Sequence, residues 1–304
     1  MEDKNLINEF VIYLTNKNFS NYTISNYEHD VIEFNEFILS EHLARNLLDV
    51  KRERIVFNYI SNLNRKGYSA RTVNRKISSL RTFYTFLVER KLIDYNYIKE
   101  VSNIKTPKKL PDFIDQDDVI KMIESISTKT DLGKRNKVLV ELLYATGLRV
   151  SELCYLEVNQ IDFYNNKINV FGKGKKERIV YLYPSIADEL NYYIHFTRSN
   201  LLAISNIDGI NNVFINNHGT PLTPRGVRKI LNSIIDKASL DFHISPHMLR
   251  HSFATSMLNN GLDLRSVQKL LGHENLSTTQ IYTHISKAKL EESYSKAFPH
   301  AKKK

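Results

Sequence analysis

The chain has 304 residues, room for two compact domains, and its 42% hydrophobic and 25% charged content is that of an ordinary globular protein. No run approaches the ~18 apolar residues of a membrane span, and the opening "MEDKNLINEF" is too acidic and polar for a secretory signal, so a cytoplasmic chain with no membrane partner is expected. Lys and Arg number 43 against 33 Asp and Glu, a formal net charge of +10, which points to a polyanionic partner; without a basic amphipathic anchor or lipidation motif, that partner is expected to be nucleic acid.

The first hundred residues read as helices. Ile7, Phe10, Val11 and Leu14 recur at helical spacing, and after the polar run "NFSNY" so do Ile24, Tyr27, Val31, Phe34 and Ile38. A third helix falls within "RERIVFNYISNL" and stops near Gly67. Ser69 is a good N-cap for a fourth, with Val73, Ile77, Leu80, Tyr84 and Leu87 as its apolar stripe. Its other faces carry Arg71, Arg75, Lys76 and Arg81 among Thr72, Asn74, Ser78 and Thr82. Such a face is often only solvated, but in a basic chain this mixture of cations and small hydrogen-bonding groups predicts contact with a nucleic-acid backbone and groove. Pro107 and Pro111 then break the pattern in "NIKTPKKLPDF". The expected division is a helical domain over 1–100, a basic linker over 101–111 and a second domain over 112–304.

The second domain reads as mixed. "RNKVLVELLYATG" is an amphipathic helix ending at Gly147, and Arg149 emerges just after it in "ATGLRVSEL". The lone cysteine, Cys154, sits on what reads as the buried side of a helix and has no disulfide partner. "KINVFGKGKKERIVYLY" reads as two strands around a Gly-Lys-Gly turn with Lys173 at the tip; it lacks the G-x-x-x-x-G-K-[ST] pattern of a nucleotide-binding loop. From "TPRGVRKILNSIID" onward the chain is helical again.

In "ISPHMLRHSFATSMLNNG", Ser245 is an N-cap, Pro246 the first helical residue and Gly261 the stop. His247 and Arg250 then share a face near unpaired backbone N–H groups, an anion site with an imidazole beside it. His247 and His251 stand four apart, as metal ligands can, but the Glu of H-E-x-x-H is missing and Arg250 would repel a cation. No metal is expected, and His251 reads as packing inside. Gly272 closes a short helix in "DLRSVQKLLGHENLSTTQIYTH" and leaves His273 at its exit. Ser277 with Gln280, and Leu276 with Ile281, fit a capping box and a hydrophobic staple for a further helix near Thr278. Tyr282 falls in that helix's second turn, where spacing alone makes it a half-buried aromatic.

In this order, "ATGLRVSEL", "GKGKKERIVYL", "PHMLRHSFAT" and "LLGHENLSTTQIYTH" resemble the tyrosine site-specific recombinases and, within them, the Xer group. "ISSLRTFYTFL" followed by "TPKKLP" is similar to the end of the Xer core-binding domain and its linker, so the resemblance spans nearly the whole chain. It implies a mainly α fold: a helical, SAM-like core-binding domain and an α+β catalytic domain with a small β-sheet or hairpin, the two clamping DNA. It also implies a catalytic set at Arg149, Lys173, His247, Arg250, His273 and Tyr282, with Tyr282 the nucleophile of a 3′-phosphotyrosyl intermediate.

This chemistry needs no metal and no ATP, so no cofactor is expected. The implied partner is double-stranded DNA carrying a specific recombination site, bound by a tetramer on two sites, with a second Xer-type recombinase or a DNA translocase as further partners. The implied role is resolution of chromosome or plasmid dimers at a dif-like site during chromosome segregation and cell division. An integrase or excisionase of a mobile element would share the chemistry, as would a relaxing topoisomerase. A DNA-binding repressor would need none of it.

Overall fold

The computed structural model describes residues 2–105, 114–171, 177–203, 207, 209–238, 240 and 244–272. Two compact units divide the chain, Met1–Lys108 and Lys109–Lys304.

The first unit is built from α1 (Glu2–Asn16), α2 (Asn21–Ser40), α3 (Glu53–Arg65) and α4 (Ala70–Glu89). Ser20 and Ser69 cap α2 and α4, each accepting from the N–H three residues on at 3.2 Å. The apolar stripe of α4 is the centre of the core, with Ile77, Leu80, Phe83, Tyr84 and Leu87 fully buried. Phe83 meets Phe10 of α1 edge-on at 5.1 Å, and Phe34 of α2 meets Tyr59 of α3 at the same distance. Each such side chain contributes about 1.5–3 kcal/mol by leaving water. The buried Tyr84 hydroxyl donates to the Leu47 carbonyl at 2.8 Å, so its burial leaves no polar atom stranded.

Residues 101–105, expected in the linker, pack on this unit instead. Ile98 and Val101 are buried in its core with Ile104 against it, and the Asn74 amide brackets Ile104, donating to its carbonyl at 2.9 Å and accepting from its N–H at 2.8 Å. Val101 and Ile104, with Ile98 just before them, give the segment something to bury, a signal that a reading for prolines and lysines passes over. Residues 106–113 lie outside the described residues.

The second unit runs α5 (Gln116–Glu124), α6 (Asp131–Thr146), α7 (Val150–Tyr155), β1 (Ile161–Asp162), β2 (Lys167–Phe171), β3 (Glu177–Tyr181), α8 (Pro184–Tyr192), a π-helical turn (Tyr193–Thr197), α9 (Arg198–Leu202), α10 (Pro224–Ala238), α11 (Pro246–Asn259) and α12 (Leu264–Leu271). The strands form an antiparallel sheet in the order β1-β2-β3, with Ile168 opposite Val180 and Val170 opposite Arg178. The expected hairpin is β2 and β3; β1, only two residues long, adds a third strand. Helix α6 runs through the core, where Leu139, Val140 and Leu142 are fully buried. It ends at Gly147 with φ +59, and a Cβ there would stand 2.6 Å from Phe253 Cδ1, so both backbone and packing require glycine.

Cys154 is 2% exposed, and burial pushes its thiol up to about 11, which leaves it an inert core residue. Helix α11 starts as expected: Ser245 accepts from the Met248 N–H at 3.3 Å, and Pro246 occupies the first turn. The described residues are thus mainly helical with one small sheet, as the resemblance implies.

Candidate active site

Two helix C-termini organise the site. Helices α6 and α12 both end in a left-handed glycine, Gly147 and Gly272. The last turn of a helix leaves carbonyls without intrahelical partners and carries partial negative charge, so it attracts cations. Arginines take these positions. Arg250, 5% exposed on α11, donates through Nη1 to the Gly147 carbonyl at 2.5 Å and through Nη2 to the Leu271 carbonyl at 2.6 Å. Arg149, the N-cap of α7, donates through Nη2 to the Gly272 carbonyl at 3.1 Å and through Nη1 to Glu152 Oε1 at 2.8 Å.

Glu152 is the hinge of the cluster. Its Oε2 accepts the Arg149 backbone N–H at 2.7 Å, and both oxygens receive a forked pair of bonds from Arg178 on β3, at 2.7 and 2.8 Å. Burial works to raise its pKa, but the hydrogen bonds from Arg178 and the Arg149 backbone, the Arg178 charge and the Arg149 side-chain hydrogen bond hold it below the usual carboxylate range. The carboxylate stays ionised.

Among the described residues, three guanidiniums against one carboxylate leave two positive charges in excess. Arg250 registers that excess: burial first and the neighbouring Arg149 charge next pull its pKa down to about 10, against the opposing pull of Glu152. It remains charged at neutral pH. A cluster with this excess of positive charge favours an anion, and planar guanidiniums suit the oxygens of a phosphate. Arg149 is the accessible member, with 41% of its side chain exposed.

The structure therefore brings Arg149 and Arg250 together around the last turn of α12. His247 is exposed on the first turn of α11, three residues before Arg250, and His251 is half-buried on the same helix. Lys173, His273 and Tyr282 lie outside the described residues. So does the capped helix expected near Thr278.

The four cations expected on the outer face of α4 separate. Lys76 is 2% exposed, and its ammonium sits 3.0 Å from Asp30 and 2.6 Å from Glu33. Its charge points inward, which corrects the expectation of a surface contact. The reason is Asp30, fully buried on α2, which must be paired and also takes Arg75 and the Ser79 hydroxyl. Arg81 donates to the Val101 carbonyl at 2.8 Å and so holds the returning segment. Arg71 is the exposed member of the four.

Two residues of the site were not singled out from the sequence, Glu152 and Arg178. Glu152 had a faint signal, an acid three residues after Arg149. Arg178 had none, since in "GKGKKERIVYL" it reads as one more cation in a basic hairpin.

A family model described as the phage integrase family matches residues 112–289, and one for the phage integrase N-terminal SAM-like domain matches residues 7–91. The chain is 42% identical to tyrosine recombinase XerC of Bacillus subtilis over 99% of this chain and 98% of that protein. It is 44% identical to tyrosine recombinase XerC of Oceanobacillus iheyensis over 97% and 96%. Among solved structures it is similar to the XerH site-specific recombinase bound to a palindromic difH substrate in a post-cleavage complex, with 27% identity, 90% of this chain and 79% of that one covered, and a TM-score of 0.68. The Tn1549 transposon integrase shares the fold at 17% identity and a TM-score of 0.70, with 94% and 97% covered. The chain belongs to the phage integrase family, the tyrosine recombinases. It is an enzyme of the Xer type that cleaves and rejoins DNA.

Proposed function

We propose that the chain exchanges DNA strands at a dif-like chromosomal site, with Tyr282 as nucleophile and Arg149, Lys173, His247, Arg250 and His273 as its catalytic partners. The observation that carries this reading is the arginine cluster, which among the described residues holds two more positive charges than negative ones. A guanidinium has five N–H donors. Among the described residues, two side-chain bonds are made by Arg149 and two by Arg250, so each keeps donors for a phosphate.

The roles follow from the chemistry of phosphoryl transfer. Arg149 and Arg250 bind the non-bridging oxygens, whose charge concentrates as the fifth oxygen approaches phosphorus. The Tyr282 phenolate oxygen attacks, its proton managed by His247 and His273; the bond to the 5′ oxygen breaks, and Lys173 supplies that oxygen's proton. Rejoining is the reverse: a 5′ hydroxyl attacks the 3′-phosphotyrosine and releases Tyr282. The energy of the broken bond is stored in the adduct. A ribose 2′-hydroxyl would attack such an adduct, so the substrate is DNA rather than RNA.

The XerC relatives support a role in resolving chromosome dimers at cell division. In that role a tetramer would assemble on two sites in the cytoplasm, with a second Xer-type recombinase or a DNA translocase as further partners. The test is a nicked suicide duplex carrying the dif-like site. The unmodified protein should become covalently attached, and Tyr282→Phe should still bind the duplex without forming an adduct. An adduct that survives Tyr282→Phe sinks the assignment.

A further inference from the structure

Arg178 makes three side-chain bonds in the site among the described residues. Its Nη1 and Nη2 fork onto the two oxygens of Glu152, and its Nε reaches the Leu270 carbonyl at 3.3 Å. The side chain is 13% exposed and that of Glu152 5%, so this pair is shielded from water and salt. It also packs on Gly272, where a Cβ would lie 2.9 Å from Arg178 Cδ. The glycine that ends α12 leaves the space this arginine fills.

The consequence lies in the sharing of Glu152. Its Oε1 accepts from Arg149 at 2.8 Å and from Arg178 at 2.7 Å. A carboxylate belonging to Arg149 alone would cancel that arginine's charge. With Arg178 holding both oxygens, Arg149 is oriented by Glu152 without being neutralised by it. We propose that Arg178 is a positioning residue for strand cleavage: it fixes Glu152, and through Glu152 it sets the direction of Arg149 and leaves its charge to the scissile phosphate.

A second effect follows from chain order. β3 directly follows the connection that contains Lys173, and α12 directly precedes His273. By bonding Glu152 and the Leu270 carbonyl at once, Arg178 ties the supports from which both residues depart. Lysine cannot take its place, because a single ammonium cannot fork onto two oxygens while a third donor spans to a carbonyl. The inference rests on the proposed function, in which Arg149 grips the phosphate.

The experiment is single-turnover adduct formation with saturating nicked suicide duplex, for the unmodified protein, Arg178→Lys, Arg178→Gln and the double variant Glu152→Gln/Arg178→Gln. Each is run with an ordinary scissile phosphate and with a methylphosphonate, which lacks the negative charge. On phosphate, Arg178→Lys and Arg178→Gln should slow the adduct by about tenfold to a hundredfold, with duplex affinity held within about twofold. On methylphosphonate that loss should shrink to less than about threefold, because the weakened charge is no longer needed. The double variant, which removes the unbalanced carboxylate, should recover rate over Arg178→Gln and remain folded if the single variant is not. A merely structural role would slow both substrates alike, and that result overturns the proposal. So does a Lys variant as fast as the unmodified protein. If the unmodified protein forms no adduct, the proposed function falls and the role of Arg178 with it; a normal rate in Arg178→Lys removes Arg178 alone.

Discussion

Replacing Gly147 by alanine tests whether the end of α6 is the structural anchor of the arginine cluster. Two costs add. The left-handed backbone, φ +59, costs an L-residue about 1 kcal/mol. The new Cβ would stand 2.6 Å from Phe253 Cδ1 and 2.9 Å from Leu271 Cδ2, both in a close-packed core, and overpacking of this kind costs about 1–3 kcal/mol. The expected loss is therefore about 2–4 kcal/mol of stability. Gly261 is the control within the same unit: its φ is +90, but a Cβ there meets nothing within 4 Å, so Gly261→Ala carries the backbone cost alone. Urea unfolding of both variants should give a clearly lower midpoint for Gly147→Ala. The carbonyl of Gly147 also holds Arg250, and the displaced Leu271 offers the other carbonyl. Adduct formation under conditions where Gly147→Ala is fully folded should thus fall at least tenfold, against no more than about twofold for Gly261→Ala. Equal unfolding midpoints for the two variants would refute the packing argument, and an unchanged adduct rate would refute the link from Gly147 to Arg250.

The first unit offers a contrast between two cations on one helix. Lys76→Met removes a partner of the buried Asp30 and should destabilise by about 3 kcal/mol in denaturant titration, while leaving the salt dependence of DNA binding unchanged. Arg71→Ala should do the reverse, with stability within about 0.5 kcal/mol and a salt slope smaller by about one. In the second unit, Glu141 and Glu189 share Lys137, at 3.5 and 3.2 Å. Burial first and the Glu189 carboxyl next push Glu141 up to about 8, with Lys137 opposing. The folded protein thus keeps a proton that the unfolded chain has already released above pH ~4.5, so this group lowers stability progressively as pH rises from about 5 to 8. Glu141→Gln should flatten that fall, which thermal unfolding at pH 5.5 and pH 8 would register; an unaltered slope would place the titration elsewhere.

How far the sequence reaches can be judged residue by residue. The caps Ser69 and Ser245 and the stop at Gly147 are local chemistry, and each is where its neighbours in the chain predict. The stripe of α4 was legible for the same reason: periodicity reports one buried face. Its second burial was not. Lys76 reads as a surface cation until Asp30, 46 residues earlier, is seen facing it without access to water. The linker lost residues 101–105 to the first unit in part for the same reason: Val101 and Ile104 hint at burial, but the bracket that Asn74 puts on Ile104 is a contact across 30 residues that the local sequence does not write.

The site divides along the same line. The sequence by itself determined the family and the identities of the candidate reactive groups, since four motifs in order leave their residue types and spacing on the page. Only the tertiary structure decided how Arg149 and Arg250 are held: by the carbonyl ends of α6 and α12, and by a carboxylate that Arg178 shares from a strand 26 residues away. The physical reason is range. Capping, periodicity and turn chemistry act within a few residues and are written locally, whereas the balance of three guanidiniums against one carboxylate exists only once separate elements have brought the charges within hydrogen-bonding distance.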